Sequence, residues 1–433
     1  MKRLLLTALA CARIAAADEP PPTPASPDGA PAVIVTPPPT PQEQERARKD
    51  AAKPPEPPSP PADSIASFVR GKGFRIQSPD GNWRLRVGLQ AATAYQPTFV
   101  EENNDTVSNW SKFRVVYARL RVDGNLFRDW LRYWFSFEFN NFPPFLLDGY
   151  IEAAPKDYFA VRLGQMYTPI SWHEYLGPQE LIFPDWAVVA DYFWTGRDRG
   201  VQAYGETPLV DCYLGFFSGT SIKQTDTIPG HFQLMGRVTV HPLGPLGYGE
   251  IPFIVSTNVP LRISFSAQGY WTRITPSSVG FNPTNGLLQT TELGERKQAA
   301  VAADFLLEWN RFFLFSEFYA RHVDILDLTG ASFWQFGAWA EAHYTFFRQV
   351  LDFALRFNWI DPDNSLANDQ YYSGEAQLGY FPAGQYLGFR LRYAIAHQQD
   401  PGPAADPMLL AEIPLPFSPG TANLITAQAS VYF

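Results

Sequence analysis

Apolar and polar residues take turns along most of this chain. From Trp83 to Tyr95 the odd positions hold Trp83, Leu85, Val87, Leu89, Ala91, Thr93 and Tyr95, and Arg84, Arg86 and Gln90 fall between them. From Leu131 to Asn140, Leu131, Tyr133, Phe135, Phe137 and Phe139 share one face, with Arg132, Trp134, Ser136, Glu138 and Asn140 on the other. The same period returns in 261–273, 351–359 and 387–395. A period of two marks a strand with one apolar and one polar side, whereas a helix would scatter these residues around its circumference.

Sixteen such segments start near residues 83, 113, 131, 146, 159, 200, 210, 231, 261, 298, 311, 333, 350, 371, 386 and 421. Short turns read at Asp123-Gly124-Asn125, Pro155-Lys156-Asp157, Trp309-Asn310-Arg311 and Phe347-Arg348-Gln349; long stretches lie near 97–111, 170–198, 219–230, 274–296, 361–369 and 398–419. One end is trimmed and the other elaborated. The pattern predicts an all-β fold, a transmembrane antiparallel up-and-down β-barrel of about 16 strands set in bacterial outer-membrane lipid. A soluble sandwich also alternates, but it has no reason to carry Trp, Tyr and Phe at its outward strand ends, where membrane interfaces favour them. The last segment puts Ile425, Ala427, Ala429, Val431 and the terminal Phe433 on one face.

Composition narrows the function. Charged residues make up 18% and aromatics 15%, the formal charge is −9, and mean hydropathy is −0.18. No run of 18 apolar residues reads as a membrane helix, and without a basic excess there is no reason to expect a nucleic-acid partner. Two cysteines, Cys11 and Cys212, exclude a disulfide scaffold or a Cys-rich metal domain. No metal or cofactor is expected.

The N-terminus has a different composition. Residues 1–17 read as a signal peptide: Lys2 and Arg3, the apolar stretch Leu4 to Ala12, and Ala15-Ala16-Ala17 before Asp18, with Arg13 as a blemish. Lipid attachment at Cys11 is the poorer reading. Residues 18–62 hold 16 of the 40 prolines and read as a disordered, Pro-rich periplasmic linker; residues 63–433 make the barrel.

Several segments carry a family resemblance. GFRIQSPDGNWRLRVGLQ (Gly73 to Gln90), KFRVVYARLRVDGNL (Lys112 to Leu126), VRLGQMYTPIS (Val161 to Ser171) and TGRDRGVQAYGE (Thr195 to Glu206) resemble the phosphate-selective porin O/P family, in order along the chain. The resemblance implies a 16-stranded trimeric porin, narrowed by its inward-folded third loop, that passes anions along rows of basic side chains.

The lumen's chemistry follows from the alternation. An arginine on a barrel's lipid face costs about 2–4 kcal/mol at the midplane, so charges belong inside. That points Arg84, Arg86, Arg119, Arg121, Arg132, Arg162, Arg237, Arg262, Arg356, Arg390 and Arg392 into the pore, where guanidinium groups suit phosphate or carboxylate. The alternative is that they brace the wall by pairing with inward acids such as Asp123, Glu138, Asp148, Glu152 and Glu375. From Asp63 onward 27 Lys+Arg stand against 36 Asp+Glu, so any anion preference has to be local. Loop 170–198, with seven large aromatics and His173, Glu174, Arg197 and four Asp or Glu besides, is the expected constriction. The predicted function is diffusion of small anionic or polar solutes through a homotrimer. A purely structural or anchoring barrel, or an outer-membrane hydrolase, is the alternative; the six histidines show no G-x-S-x-G or H-E-x-x-H setting, so an enzyme is not expected.

Overall fold

A computed structural model describes residues 65–69, 73–102, 106–140, 144–219, 230–246, 259–274, 277–281, 288–292, 295–326, 331–346, 350–401 and 419–432, all within the unit Pro54–Phe433. Residues 1–17, expected to be a signal peptide, the Pro-rich segment 18–62, Cys11, the expected turn Phe347-Arg348-Gln349 and Phe433 lie outside the described residues.

Sixteen strands form the wall: β1 (Arg84–Glu102), β2 (Thr106–Asn125), β3 (Leu131–Glu138), β4 (Phe145–Lys156), β5 (Phe159–Tyr167), β6 (Arg197–Glu206), β7 (Val210–Phe217), β8 (Phe232–Val240), β9 (Arg262–Ile274), β10 (Arg296–Trp309), β11 (Phe312–Ile325), β12 (Ser332–Phe346), β13 (Leu351–Asp361), β14 (Tyr371–Tyr380), β15 (Leu387–Gln398) and β16 (Gly420–Tyr432). Each pairs antiparallel with the next, and β16 returns to β1, with Tyr432 opposite Gln90 and Thr421 opposite Glu101. The ring is closed, so every strand finds two partners without an exposed membrane edge. The sixteen-stranded barrel read from the alternation is borne out.

Register confirms which way the faces turn. Leu163, Val201, Phe216, Val301, Phe353, Leu355, Phe357 and Leu391 are exposed on the outside, while Gln202, Gln233, Thr272, Gln335, Asn358 and Thr426 are buried inside. Among the described residues no helix is long and apolar enough to cross a membrane.

Three details differ from the sequence reading. Residues 97–111 are not a loop: β1 and β2 stay paired up to Glu102 and Thr106, a tall hairpin sustained by the Thr98–Trp110 and Phe99–Asn109 pairs. Asp123-Gly124-Asn125 is not a turn. It is the end of β2, opposite Arg86, Leu85 and Arg84, and its glycine serves close approach, because a Cβ on Gly124 would sit 1.8 Å from the Arg84 carbonyl oxygen. The 274–296 stretch carries a two-stranded hairpin, Ser277–Phe281 with Leu288–Glu292.

One feature lies beside the ring. Strands Ala66–Val69 and Gly73–Gln77 form a hairpin whose second strand pairs with the base of β1, Phe74 opposite Val87 and Gln77 opposite Arg84. It occupies the edge of β1 just below the end of β16, on the rim that carries the short turns, which is the periplasmic rim of such barrels.

Candidate functional site: the inward loop and the arginine wall

The segment between β5 and β6 folds into the barrel. Ser171 caps a single turn, α1 (Trp172–Tyr175), by accepting from the Glu174 amide at 3.2 Å. The same hydroxyl donates to the Glu317 carboxylate of β11 at 2.9 Å, and the Trp172 amide and the Trp339 indole add donors at 3.1 and 3.0 Å. A second short helix, α2 (Val188–Phe193), lays Phe193 parallel to Tyr319, ring centres 5.0 Å apart. Gly337 of β12 permits this, since a Cβ there would lie 2.4 Å from the Phe193 ring. Ile170, Leu181, Ile182, Phe183, Val189 and Phe193 are all almost fully buried, which explains why so aromatic a loop is stable inside a polar lumen.

Polar side chains of the β11–β15 wall clasp the loop's backbone. Arg390 donates to the carbonyls of Leu181 and Ile182 at 2.8 and 2.9 Å, and Gln377 donates to Ile182 as well. Arg356 reaches the Asp185 carbonyl at 3.1 Å and lies over the Phe183 ring, 3.9 Å from its centre. Gln335 donates to the Tyr192 hydroxyl at 3.1 Å. The Asp185 carboxylate is held by Arg114 at 3.0 Å and Arg392 at 3.4 Å. Arg390 and Arg392 therefore face inward but lie under the loop. Sequence reasoning found the loop, Asp185 included, and missed its clasp, Glu317 as a loop anchor, Gln335, Gln377 and Arg114, because a register position does not say which inward residue a loop will cover.

On the opposite side, the β1–β5 wall carries a different set. Arg86 pairs with Asp123, Arg119 with Glu138 at 2.7 Å, and Glu152 receives both Arg162 at 2.6 Å and Arg132 at 3.3 Å. Arg121 sits 3.2 Å from Asp123 without a directed hydrogen bond and donates instead to the Tyr432 hydroxyl at 2.6 Å. Arg162 is sandwiched between Tyr150 and Tyr204, 5.1 and 4.4 Å from their ring centres, and donates to the loop's Tyr175 at 2.8 Å. Arg132 is 51% exposed and Arg86 27%, against 0% for Arg356 and 9% for Arg392. Among the described residues Arg84 has no carboxylate partner; its carbonyl accepts from Tyr133 at 3.0 Å. Between Gly73 and Tyr167 the inward face holds eight arginines, Arg75, Arg84, Arg86, Arg114, Arg119, Arg121, Arg132 and Arg162, against four carboxylates, Asp123, Glu138, Asp148 and Glu152. Arg75 escaped the sequence reading because it precedes the first alternating segment.

The loop's ionisable groups sit unusually. Burial pushes His173 down to about 3, so it is neutral, and its Nδ1 accepts from the Ala187 amide at 3.3 Å. Glu174 is 1% exposed, and neither of its carboxyl oxygens has a hydrogen-bond partner among the described residues. Burial first, and then the charges of Asp191 and Glu317, raise its pKa well above the usual carboxylate range. Arg197 leaves the loop to bond Asp148 at 2.8 Å and rests on the Tyr167 ring at 3.6 Å. Among the described residues no group of three or more His, Cys, Asp or Glu is arranged to hold a metal ion.

One hydrogen-bonded chain has the composition of a nucleophile site. His241 Nδ1 lies 2.6 Å from Ser264 Oγ and Nε2 lies 2.8 Å from Asp211. Ser264 is 1% exposed, so no acyl group can approach its oxygen, and the chain instead ties together the periplasmic ends of β7, β8 and β9.

Closed ring, apolar outside, charged inside and a loop folded into the lumen together define an outer-membrane barrel of the porin class. The sequence profile described as "Phosphate-selective porin O and P" matches residues 81–239, which takes in β1 to β8 and the inward loop. The resemblance read from the sequence stands over these residues: this part of the chain is similar to that family, and the barrel it belongs to is that of an outer-membrane porin, a channel for small hydrophilic solutes. No curated protein matches the chain. Among solved structures it is similar to an anion-selective porin from Comamonas acidovorans (TM-score 0.53, 12% identity, 81% of this chain and 100% of that one). OprB of Pseudomonas putida gives 0.53 at 11%, with 81% and 94% covered. OmpT, an outer membrane protein of Vibrio cholerae, gives 0.52 at 11%, with 81% and 98% covered. At these identities the likeness is one of fold.

Proposed function

We propose that this porin prefers anions and that its selectivity resides on the β1–β5 wall. The observation that carries the reading is the excess there of eight inward arginines over four carboxylates, of which only Arg114 and Arg162 are described as touching the loop. Local charge, not the chain's formal −9, sets the potential a permeating ion meets. The loop is the constriction, since it fills the lumen against β11–β15, and the arginines beneath it hold it in place. The anion-selective porin from Comamonas acidovorans supports the reading by fold alone. Residues 1–17 act as the export signal and 18–62 as the periplasmic linker. Three copies assemble in the membrane, and no catalysis is assigned. Reversal potentials of single channels in a salt gradient test the reading: an anion-selective sign is expected, and a cation-selective sign overturns it.

A further inference from the structure

The connection between β13 and β14 gathers acceptors that no donor meets. It reads Asp361-Pro362-Asp363-Asn364-Ser365-Leu366-Ala367-Asn368-Asp369 and lies on the rim opposite the short turns, the extracellular one. Asn364 donates its amide to the Trp334 carbonyl of β12 and accepts from the Trp334 amide, both at 3.0 Å, and Leu366 packs on the buried Val323, Ile325 and Phe333. Asp363 and Asp369 are 0% and 1% exposed. One oxygen of each is used: Asp363 Oδ1 accepts from the Ser365 amide at 2.8 Å, and Asp369 Oδ2 from the Asp363 amide at 2.9 Å. The other oxygens, Asp363 Oδ2 and Asp369 Oδ1, are buried without a hydrogen-bond partner among the described residues, and so is Asp361 Oδ1. The charges that bear most on Asp369 are Asp361 and Asp363, both of its own sign. A fourth acceptor comes from another strand. Gln398 of β15, 1% exposed, donates its amide to the Asp369 carbonyl at 2.7 Å, which leaves its Oε1 beside this loop, buried and unpartnered among the described residues.

We propose that Asp361, Asp363, Asp369 and Gln398 form a calcium site at the extracellular mouth of the barrel. A buried acceptor is costly unless a donor or a cation meets it, and carboxylates that share a pocket also repel one another. Water fills the lone oxygens but leaves the like charges in place; a hard divalent cation answers both. Spacing points the same way. Asp361, Asp363, Ser365 and Asp369 stand first, third, fifth and ninth in the segment, places from which calcium loops supply oxygens, and Ala367 stands seventh, where such loops use a carbonyl. The segment departs from that pattern at Leu366, where calcium loops carry Gly, and at Tyr372, where they carry a closing Glu. Gln398 supplies an oxygen from outside the loop in place of that Glu. The carboxylates are not a ready cage on their own. Calcium takes about six to eight oxygens in a pliable shell that includes amide carbonyls and water, so it can draw the loop toward Gln398 as it binds. Magnesium demands a near-octahedral shell and gives up its water reluctantly, so it fits worse. Bound calcium ties the β13–β14 connection to β15, whichever ions the pore prefers.

Calorimetric titration of calcium chloride into the full-length porin, folded in detergent and stripped with a chelator, tests the site. One calcium per chain should bind, with a dissociation constant of roughly 0.1–1 mM, the range of extracellular calcium modules. Magnesium chloride should bind about tenfold more weakly. Asp363→Asn combined with Asp369→Asn removes two charges while keeping the shape of both side chains, and should abolish saturable binding. Because it relieves repulsion, this variant should keep the heat-modifiable mobility of the folded barrel. Gln398→Ala, which leaves every charge in place, should weaken calcium binding about tenfold, a loss that simple attraction to an acidic loop would not produce. Asp129→Asn, which removes an exposed acid from a turn on the opposite rim, should bind calcium as the parent does. The site is overturned by a folded parent without saturable calcium binding, by equal affinity for magnesium, by parental affinity in either the double variant or Gln398→Ala, or by an equal loss in Asp129→Asn.

Discussion

Arg390 donates to the carbonyl oxygen of Leu181 at 2.8 Å, joining residues 209 positions apart. The bond turns a wall arginine into a fastener, since its Nε reaches the Ile182 carbonyl and its Nη1 the Ser430 hydroxyl at the same time. Arg390→Gln removes a charged donor from two buried carbonyls, a loss of about 1.5–3 kcal/mol of loop seating. The barrel should assemble normally, with noisier single-channel current and faster protease cleavage near Leu181. A quiet channel of parental conductance would show that the other clasp residues suffice.

Arg119 and Arg121 stand on the inward face of β2, 12% and 13% exposed. Replacing both with Glu takes the inward face between Gly73 and Tyr167 from eight arginines and four carboxylates to six and six. The reversal potential should move toward cations. Glu138 loses its Arg119 partner and Asp123 keeps only Arg86 in this variant, so Arg119→Gln with Arg121→Gln should give a smaller shift with better folding. A well-folded double mutant with an unchanged reversal potential would place selectivity elsewhere.

Removing the middle of the loop, roughly Leu176 to Val189, should raise conductance, because the narrowest section sets most of a pore's resistance. The deletion takes out the buried Leu181, Ile182 and Phe183 together with Asp185, so Arg356, Gln377, Arg390 and Arg392 lose what they hold. Equal conductance in parent and deletion would remove the loop from the mechanism.

The seat of the loop should weaken in acid through His173. Its pKa falls from 6.5 to about 3 on burial, so the folded loop takes up its proton less readily than the released loop. Stability from the neutral ring is fully present above about pH 6.5 and is lost as pH falls from there toward 3. Glu174 works with the opposite sign. Its raised pKa favours the protonated form, so its contribution is present below about 4.5 and declines as pH rises toward its folded value. Glu174→Gln should therefore make the loop more firmly seated at neutral and alkaline pH, and His173→Gln should blunt the acid response. Current noise recorded from pH 4 to 9 checks both.

The barrel was legible because lipid enforces it. Every strand that crosses must show apolar residues outward at alternate positions, so Leu131 to Asn140 and Leu387 to Ile395 declared themselves. The inward direction of Arg84 to Arg162 followed from the same rule. Partnership did not follow, because Arg392 meets Glu375 from the neighbouring strand and Asp185 from a loop more than two hundred residues away, and neither depends on alternation. Gly124 misled for a related reason: a glycine after an aspartate reads as a turn, yet here it serves the close approach of β2 to the Arg84 carbonyl.

The clasped loop separates the size of the frame from the size of the duct. Sixteen strands enclose the lumen, but the segment between β5 and β6 takes up its β11–β15 side, and on the proposed reading a solute is sieved by what remains between that segment and the arginine wall. Strand number sets the scaffold and one insertion sets the bore. Such a channel can change what it admits by exchanging the loop and the few side chains that grip it, with no change to the ring, its register or its fit to the membrane.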